Sequence, residues 1–386
     1  MWRRAGGRVS ECISCVCWGG GGARHSPPLP HPHLPAHPAR AVIPKARWAW
    51  RDWSEKRRPE TRCQAAARAG AKGGIVEDLT VGLLTHEPRS FAESMASYER
   101  HGLFTSVREF LIYINNRNAE TEAVAQGYID RYPGLFKVLG TPANVGITHG
   151  MLALTAAATQ PYFLFMERDF QLVEPATCVF EELRAGVDLI KSGEAQVVRY
   201  RHKWRAGRPN WAYRFFAGHE EDAFRTWQPN LGCNVHYWIE DPVARFPQYF
   251  WKCGTDPEML CSDSYYCNWT NNPQLWSIAW WNKEYVEGSF KTSQRLDPYD
   301  NIETWFNWEP NAWNDRGFTV AQGAGLFKHR DLGNIVHVRK RGARASRRAT
   351  CGLAQAVHPT LASPPPIAGL MPRRVGRMKT PAVALK

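Results

Sequence analysis

Tyr162-Phe163-Leu164-Phe165-Met166-Glu167-Arg168-Asp169 carries five apolar residues in a row and then two acids. An unbroken apolar run of this length, closed by polar residues, is expected of a strand buried on both faces. Residues i and i+2 of a strand share a face, so Glu167 and Asp169 fall together at its carboxyl end. Two carboxylates so placed repel one another unless a cation lies between them. Mg2+ and Mn2+ are held by one or two acids together with substrate phosphates, which makes Glu167 and Asp169 a candidate metal site.

The same punctuation repeats upstream. Thr80 to Thr85 is a short apolar run, and a helix is predicted over 90–104, opened by a capping box of Ser90 and Glu93. Glu109 to Ile114 predicts a second strand, closed by Asn115-Asn116, and a helix follows over 119–132. Phe136 to Leu139 predicts a third strand, Val145 to Thr159 a third helix, and Tyr162 to Met166 a fourth strand whose carboxyl end delivers Glu167 to Asp169. Strand and helix in alternation call for an α/β fold with a mostly parallel sheet and helices on both faces. Ligands of such sheets bind beyond the carboxyl ends of the strands. The candidates are then Thr85 to Arg89, Asn115, Asn116, Asn144 and Glu167 to Asp169.

These stretches, in this order, resemble a known family. Residues 79–172 are similar to the nucleotide-sugar half of GT-A fold glycosyltransferases, closest to the large inverting family 2. Four features carry the resemblance: Val81 to Arg89, Asn115-Asn116, Asn144-Val145-Gly146 followed by Gly150, and Tyr162 to Asp169. It implies a Rossmann-like GT-A fold, a nucleotide-diphospho-sugar donor, Mn2+ or Mg2+ as cofactor, and a hydroxyl of a glycan or glycoconjugate as acceptor. It further implies nucleotide-sugar contacts from Thr85, Glu87, Arg89, Asn116, Asn144, Gly146 and Arg168. A late histidine in the family completes the metal shell, and His329 in Gly325 to Arg330 resembles it, joining Glu167 and Asp169. The family's general base is a late Asp; Asp263 is the nearest match, with Asp256 and Glu258 as rivals. Lys328, Arg330 and the trio Arg201-His202-Lys203 are further candidates for the diphosphate.

The domain is expected over 75–338, with a nucleotide-sugar half at 75–172 and an acceptor half at 195–338. Twelve tryptophans lie between Trp204 and Trp313, and none lies earlier in the domain. Aromatic faces stack on sugars, so Trp227, Trp251, Trp269, Trp280, Trp281, Trp305 and Trp308 are candidate acceptor contacts, weighed against an ordinary core role.

The net charge of +13 belongs to the ends. Residues 1–72 hold a balance of +10 and residues 339–386 one of +11, which leaves −8 for the middle. An acidic middle argues against a nucleic-acid groove. Both ends are basic and rich in Pro, Arg, Gly or Ala, without hydrophobic periodicity, and are expected to be disordered. The Arg-rich head also fits an organelle-targeting segment. No run of about 18 apolar residues occurs, so no transmembrane span is expected. Organelle and endomembrane locations both remain open. Five of ten cysteines fall in the middle, an odd number that favours at least one free thiol, and Cys261 and Cys267 are a possible pair. The sequon Asn268-Trp269-Thr270 has meaning only in a secreted chain.

Two other functions use similar parts. A sugar-phosphate nucleotidyltransferase would show a Gly-rich phosphate loop after the first strand, which Thr85-His86-Glu87-Pro88-Arg89 is not. A catalytically inactive, Trp-rich carbohydrate-binding protein would keep the aromatic half without the chemistry.

Overall fold

The computed structural model describes residues 60–207, 212, 216, 218–225, 229–290, 302–308 and 312–330. The head up to residue 59, the tail from residue 331 and Trp227 lie outside these, as does the side chain of Trp308. After a short helix α1 (Arg62–Arg68), the first half alternates as expected: β1 (Val76–Thr85), α2 (Pro88–Arg100), β2 (Val107–Asn115), α3 (Ala119–Arg131), β3 (Phe136–Thr141), α4 (Gly146–Ala157) and β4 (Tyr162–Glu167). Then follow β5 (Phe170–Leu172), α5 (Ala176–Ser192), β6 (Val197–Arg201), β7 (Trp251–Cys253), β8 (Met259–Asp263), β9 (Gln274–Ser277) and β10 (Thr319–His329).

All ten strands join one sheet in the order β3-β2-β1-β4-β9-β6-β10-β8-β7, with β5 paired to β10. The block β3-β2-β1-β4 is parallel throughout. Strand β9 runs against β4 and β6, and β6 is again parallel to β10. Strands β1 to β4, β6, β7 and β10 therefore point one way, and β5, β8 and β9 the other. The fold is α/β: a mostly parallel, Rossmann-like sheet of the GT-A kind.

Alternation along the strands gives each face its own core. Phe110, Ile112 and Ile114 of β2 pack with Phe91, Met95 and Tyr98 of α2 and Val179 and Leu183 of α5. Leu111 and Tyr113 of the same strand pack with Met151 and Leu154 of α4 and with the tryptophan-rich half. Gly82 sits mid-strand in β1 because the Phe163 ring of β4 fills the place where a Cβ would be.

Three details differ from the sequence reading. Helix α2 starts at Pro88 and is capped by Glu87, whose side chain accepts from the N–H groups of Arg89 (2.8 Å) and Ser90 (2.9 Å), so Ser90 is not its cap. Helix α1 lies inside the head expected to be unstructured up to residue 72. It opens on a capping box of Thr61 and Gln64 and is anchored by a disulfide from Cys63 to Cys178. The middle cysteines also pair differently: Cys233 bonds Cys267 and Cys253 bonds Cys261, and Cys178 finds its partner in the head, so none of the five is free.

Candidate metal and nucleotide-sugar site

The carboxyl ends of β1, β2, β4, β6 and β10 share one edge of the sheet. At its centre the chain leaves β4 through Arg168 and Asp169, and neighbours on both sides pin this turn. Arg168 N donates to Leu84 O (3.1 Å) and Arg330 N to Asp169 O (2.7 Å). From α2, Ser94 Oγ donates to Arg168 O (2.5 Å) and Tyr98 Oη to Phe170 O (2.6 Å). Ser94 and Tyr98 are four residues apart and so share a helix face. Helix α2 thus serves as a splint for the acidic turn.

His329, at the end of β10, stands with Nε2 3.4 Å from Asp169 Oδ2. Its Nδ1 lies 2.9 Å from Arg330 O. A carbonyl oxygen only accepts, so Nδ1 carries a proton and Nε2 is the atom turned toward the carboxylate. In the neutral ring that presents a lone pair to an anion, an arrangement completed by a proton or a cation. Asp169 Oδ1 is buried and has no hydrogen-bond partner. Burial works to raise the Asp169 pKa, but the His329 contact and the Arg168 charge outweigh it and hold the carboxyl below its ordinary value. Glu167 goes the other way: burial, then the charges of Asp169 and Glu303, push it well above the usual carboxylate range. One orphaned carboxylate oxygen, a second carboxylate short of positive charge and an imidazole nitrogen turned toward Asp169 fit a divalent cation in chemistry. Among the described residues no three His, Cys, Asp or Glu side chains are already gathered as a metal cage. The donor set is an Asp–His pair with Glu167 beside it.

The other expected contacts fall along the same edge with different duties. Thr85 is buried and its hydroxyl donates to Glu87 O at 3.5 Å. Glu87 is occupied as the α2 cap, and the exposed Arg89 pairs with Glu93 at 3.2 Å. Asn144 is committed locally: its Oδ1 accepts from Asn115 Nδ2 (2.8 Å) and Gly146 N (2.9 Å), while Asn115 Oδ1 accepts from Val145 N (2.8 Å). These bonds staple the end of β2 to the start of α4, where Gly146 takes φ +84°. Asn116, exposed at the end of β2, adopts φ +77°, a left-handed conformation that asparagine tolerates better than most residues. Arg168 directs a guanidinium nitrogen to His86 Nδ1 at 3.0 Å, and sequence reasoning did not single out His86. Arg201 is spent on Ala206 O and Gly207 O, His202 on Glu174, and Lys203 on Glu240 O.

Asp263 is not at this edge. Strand β8 runs against β10 and pairs Asp263 with Thr319, the first residue of β10. The rungs Val320–Val197–Trp276–Phe163 put that row level with the start of β4. Glu167 lies five residues further along β4, about 17 Å at strand rise. Asp263 instead caps a 3-10 turn, accepting from Tyr265 N at 2.7 Å. Its rivals Asp256 and Glu258 lie on the turn that follows β7, at the same edge of the sheet but five strands along from β4.

Another acid occupies the right side. Glu303 stands in the first turn of the helix Ile302–Trp308, whose leading N–H, from Ile302, is bonded to Thr148 of α4 at 3.1 Å. Its charge reaches Glu167 and the buried Arg199. The sequence signal was an acid opening an amphipathic turn, with Ile302 and Phe306 apolar, just ahead of the last strand.

Among the described residues, more tryptophans are core than surface. Trp269, Trp276, Trp281 and Trp313 are each 0% exposed and pack with Tyr285 and Phe306. Of the named acceptor candidates, Trp280 and Trp305 are partly buried, and Trp251 is exposed on the edge strand β7.

No protein-family model matches the chain, and no curated protein does. Among solved structures it is similar to S. aureus TarS 1–349, at 12% identity over 66% of this chain and 60% of that one, with a TM-score of 0.37. A structure of the same protein in complex with UDP-GlcNAc matches at 17% identity over 35% and 38%, TM-score 0.28. The mannosyltransferase PcManGT from Pyrobaculum calidifontis, in complex with GDP-Man and Mn2+, matches at 13% identity over 36% and 42%, TM-score 0.28. The chain thus spans 38% to 60% of the length of these structures. At such scores the fold assignment rests on the strand order and directions described above.

Proposed function

We propose that this chain is a glycosyltransferase that moves a sugar from a nucleotide-diphospho-sugar to an acceptor hydroxyl with inversion. The observation that carries the reading is the pairing of Asp169 with His329 at the carboxyl end of β4, beside an orphaned Asp169 Oδ1. Glu167, Asp169 and His329 would hold Mn2+ or Mg2+, which supplies positive charge for the diphosphate leaving group. Arg168, braced by His86, adds a fixed guanidinium at the same edge. Asn116, Gly146 and the Thr85–Arg89 turn, at the same edge, would contact the nucleotide.

Inverting transfer needs a base opposite the leaving group. Glu303, whose charge is felt at Glu167, is our candidate for it. Its carboxylate takes the proton of the acceptor hydroxyl as that oxygen bonds to the anomeric carbon. The bond from that carbon to the diphosphate oxygen breaks with its electron pair, and the nucleoside diphosphate leaves as an anion. Arg199, buried nearby, is within reach of its charge.

Burial of Trp269, Trp276, Trp281 and Trp313 removes much of the support for a purely sugar-binding aromatic surface. The test is a panel of nucleotide-diphospho-sugars with Mn2+, following release of UDP or GDP. Metal-dependent release with one donor, lost in Asp169→Ala, is the expected result. Release that survives both EDTA and Asp169→Ala refutes the metal site, and no release from any donor refutes the transferase reading.

A further inference from the structure

Asn268-Trp269-Thr270 is the one Asn-X-Ser/Thr triplet in the sequence. Such a triplet accepts an oligosaccharide only in a chain that enters a secretory compartment, which is also where disulfides form and persist. Three disulfides tie the described residues together: Cys63 to Cys178, Cys233 to Cys267 and Cys253 to Cys261. Disulfides in this number are those of a chain that matures under oxidising conditions. Triplet and disulfides therefore point to the same compartment, and one of the bonds ends at Cys267, the residue before Asn268.

The Asn268 side chain is half-buried. Its Nδ2 donates to Trp269 O at 2.9 Å, and its Oδ1 accepts from Asn234 Nδ2 at 3.3 Å. An amide nitrogen of this kind carries two hydrogens, and among the described residues it has this one acceptor. An N-linked sugar replaces one hydrogen and leaves the other, so both contacts are compatible with a glycan. The rest of the triplet is closed. Trp269 is 0% exposed and Thr270 7%, and Trp269 N donates to Asn307 Oδ1 at 2.7 Å. The Asn268 carbonyl accepts from the buried Arg199 guanidinium, and its N–H donates to Asn230 O. A transferring enzyme has to reach the Thr270 hydroxyl as well as the Asn268 amide, so transfer must come before this packing.

We propose that Asn268 is an N-glycosylation site, modified before the Cys233–Cys267 bond and the core around Trp269 close the triplet. The amide nitrogen bonds to the anomeric carbon of a lipid-diphosphate-linked oligosaccharide. The bond from that carbon to the diphosphate oxygen breaks with its electron pair, the lipid diphosphate leaves, and the amide gives one proton to the transferring enzyme. Occupancy is then set by a race between transfer and folding. The inference is independent of the sugar-transfer reading.

The full chain, led by an added signal sequence into the secretory pathway of cultured animal cells, tests this in whole-cell extract, so that retained chains are counted. A partly glycosylated population is expected. Peptide-N-glycosidase F should lower its mass and convert Asn268 to Asp in the peptide spectrum, and Asn268→Gln should show no fall in mass. Cys233→Ser leaves the residues around the triplet unchanged in sequence and should raise the glycosylated fraction severalfold. Non-reducing peptide mapping follows the disulfides. The proposal is overturned by an unmodified Asn268 in the disulfide-bonded chain, by absence of the three disulfides there, or by a fall in mass that persists in Asn268→Gln. An equal glycosylated fraction with and without Cys233→Ser overturns the race.

Discussion

Asp169 Oδ2 and His329 Nε2 meet at 3.4 Å although 160 residues separate them in the chain. The meeting is made by β5, which leaves the acidic turn and pairs antiparallel with the end of β10, matching Phe170 to His329. The short hairpin-like return after β4 therefore sets the distance between Asp169 and His329.

His329→Gln should raise the Mn2+ concentration for half-maximal turnover by about tenfold or more, with kcat at saturating metal much less affected. A metal titration of initial rates measures it. An unchanged titration curve would remove His329 from the metal shell.

Glu303→Gln should lower kcat by about 10²- to 10⁴-fold, the usual worth of a general base, with little change in donor KM. Asp263→Ala should leave kcat within about twofold and cost roughly 0.5–2 kcal/mol of stability through the lost cap. Steady-state kinetics with chemical denaturation separates the two. A collapse of kcat in Asp263→Ala with Glu303→Gln active would reverse the assignment.

Glu182 gives a pH signature. Burial raises its carboxyl from an ordinary 4.5 to about 7. The folded chain holds this proton more tightly than the unfolded chain. Its contribution is complete below about pH 4.5 and is lost as pH rises through 7, about 3 kcal/mol in all. Glu182→Gln should be the more stable protein at pH 8 and no more stable at pH 4. Urea unfolding at both values reads the difference, and an equal gap at both would contradict it.

Gly82→Ala should destabilise by about 1–3 kcal/mol or more, because the new methyl overlaps the Phe163 ring in a packed core. Gly82→Ala paired with Phe163→Leu should recover part of the loss. Thermal melts of the single and double variants provide the comparison.

The first four strands were legible because each is an apolar run closed by polar residues, and Tyr162–Glu167 appears where the sequence put it. The start of α2 was misread because Ser90 and Glu87 are both capable caps, and the backbone chose the earlier one. Asp263 was misplaced for a deeper reason. Met-Leu-Cys-Ser-Asp reads alike in a parallel or an antiparallel strand, and direction settles which edge its last residue reaches. Helix α1 did carry a local signal, the Thr61/Gln64 capping box, but it was hidden in a basic, Pro-rich head. For the tryptophans, composition alone does not separate a sugar platform from a second core, and burial places Trp269 and Trp281 in the core.

The Cys63–Cys178 bond has a consequence for the integrity of the chain. It closes a loop of sequence separation 115 that contains β1 to β5, and with them Glu167 and Asp169. Closing a loop of that size is worth about 4–5 kcal/mol in the chain-entropy model. The segment from Cys63 to Cys178 is thus a covalent ring. A protease cut anywhere inside it leaves two pieces still tethered, which come apart only once the disulfide is reduced.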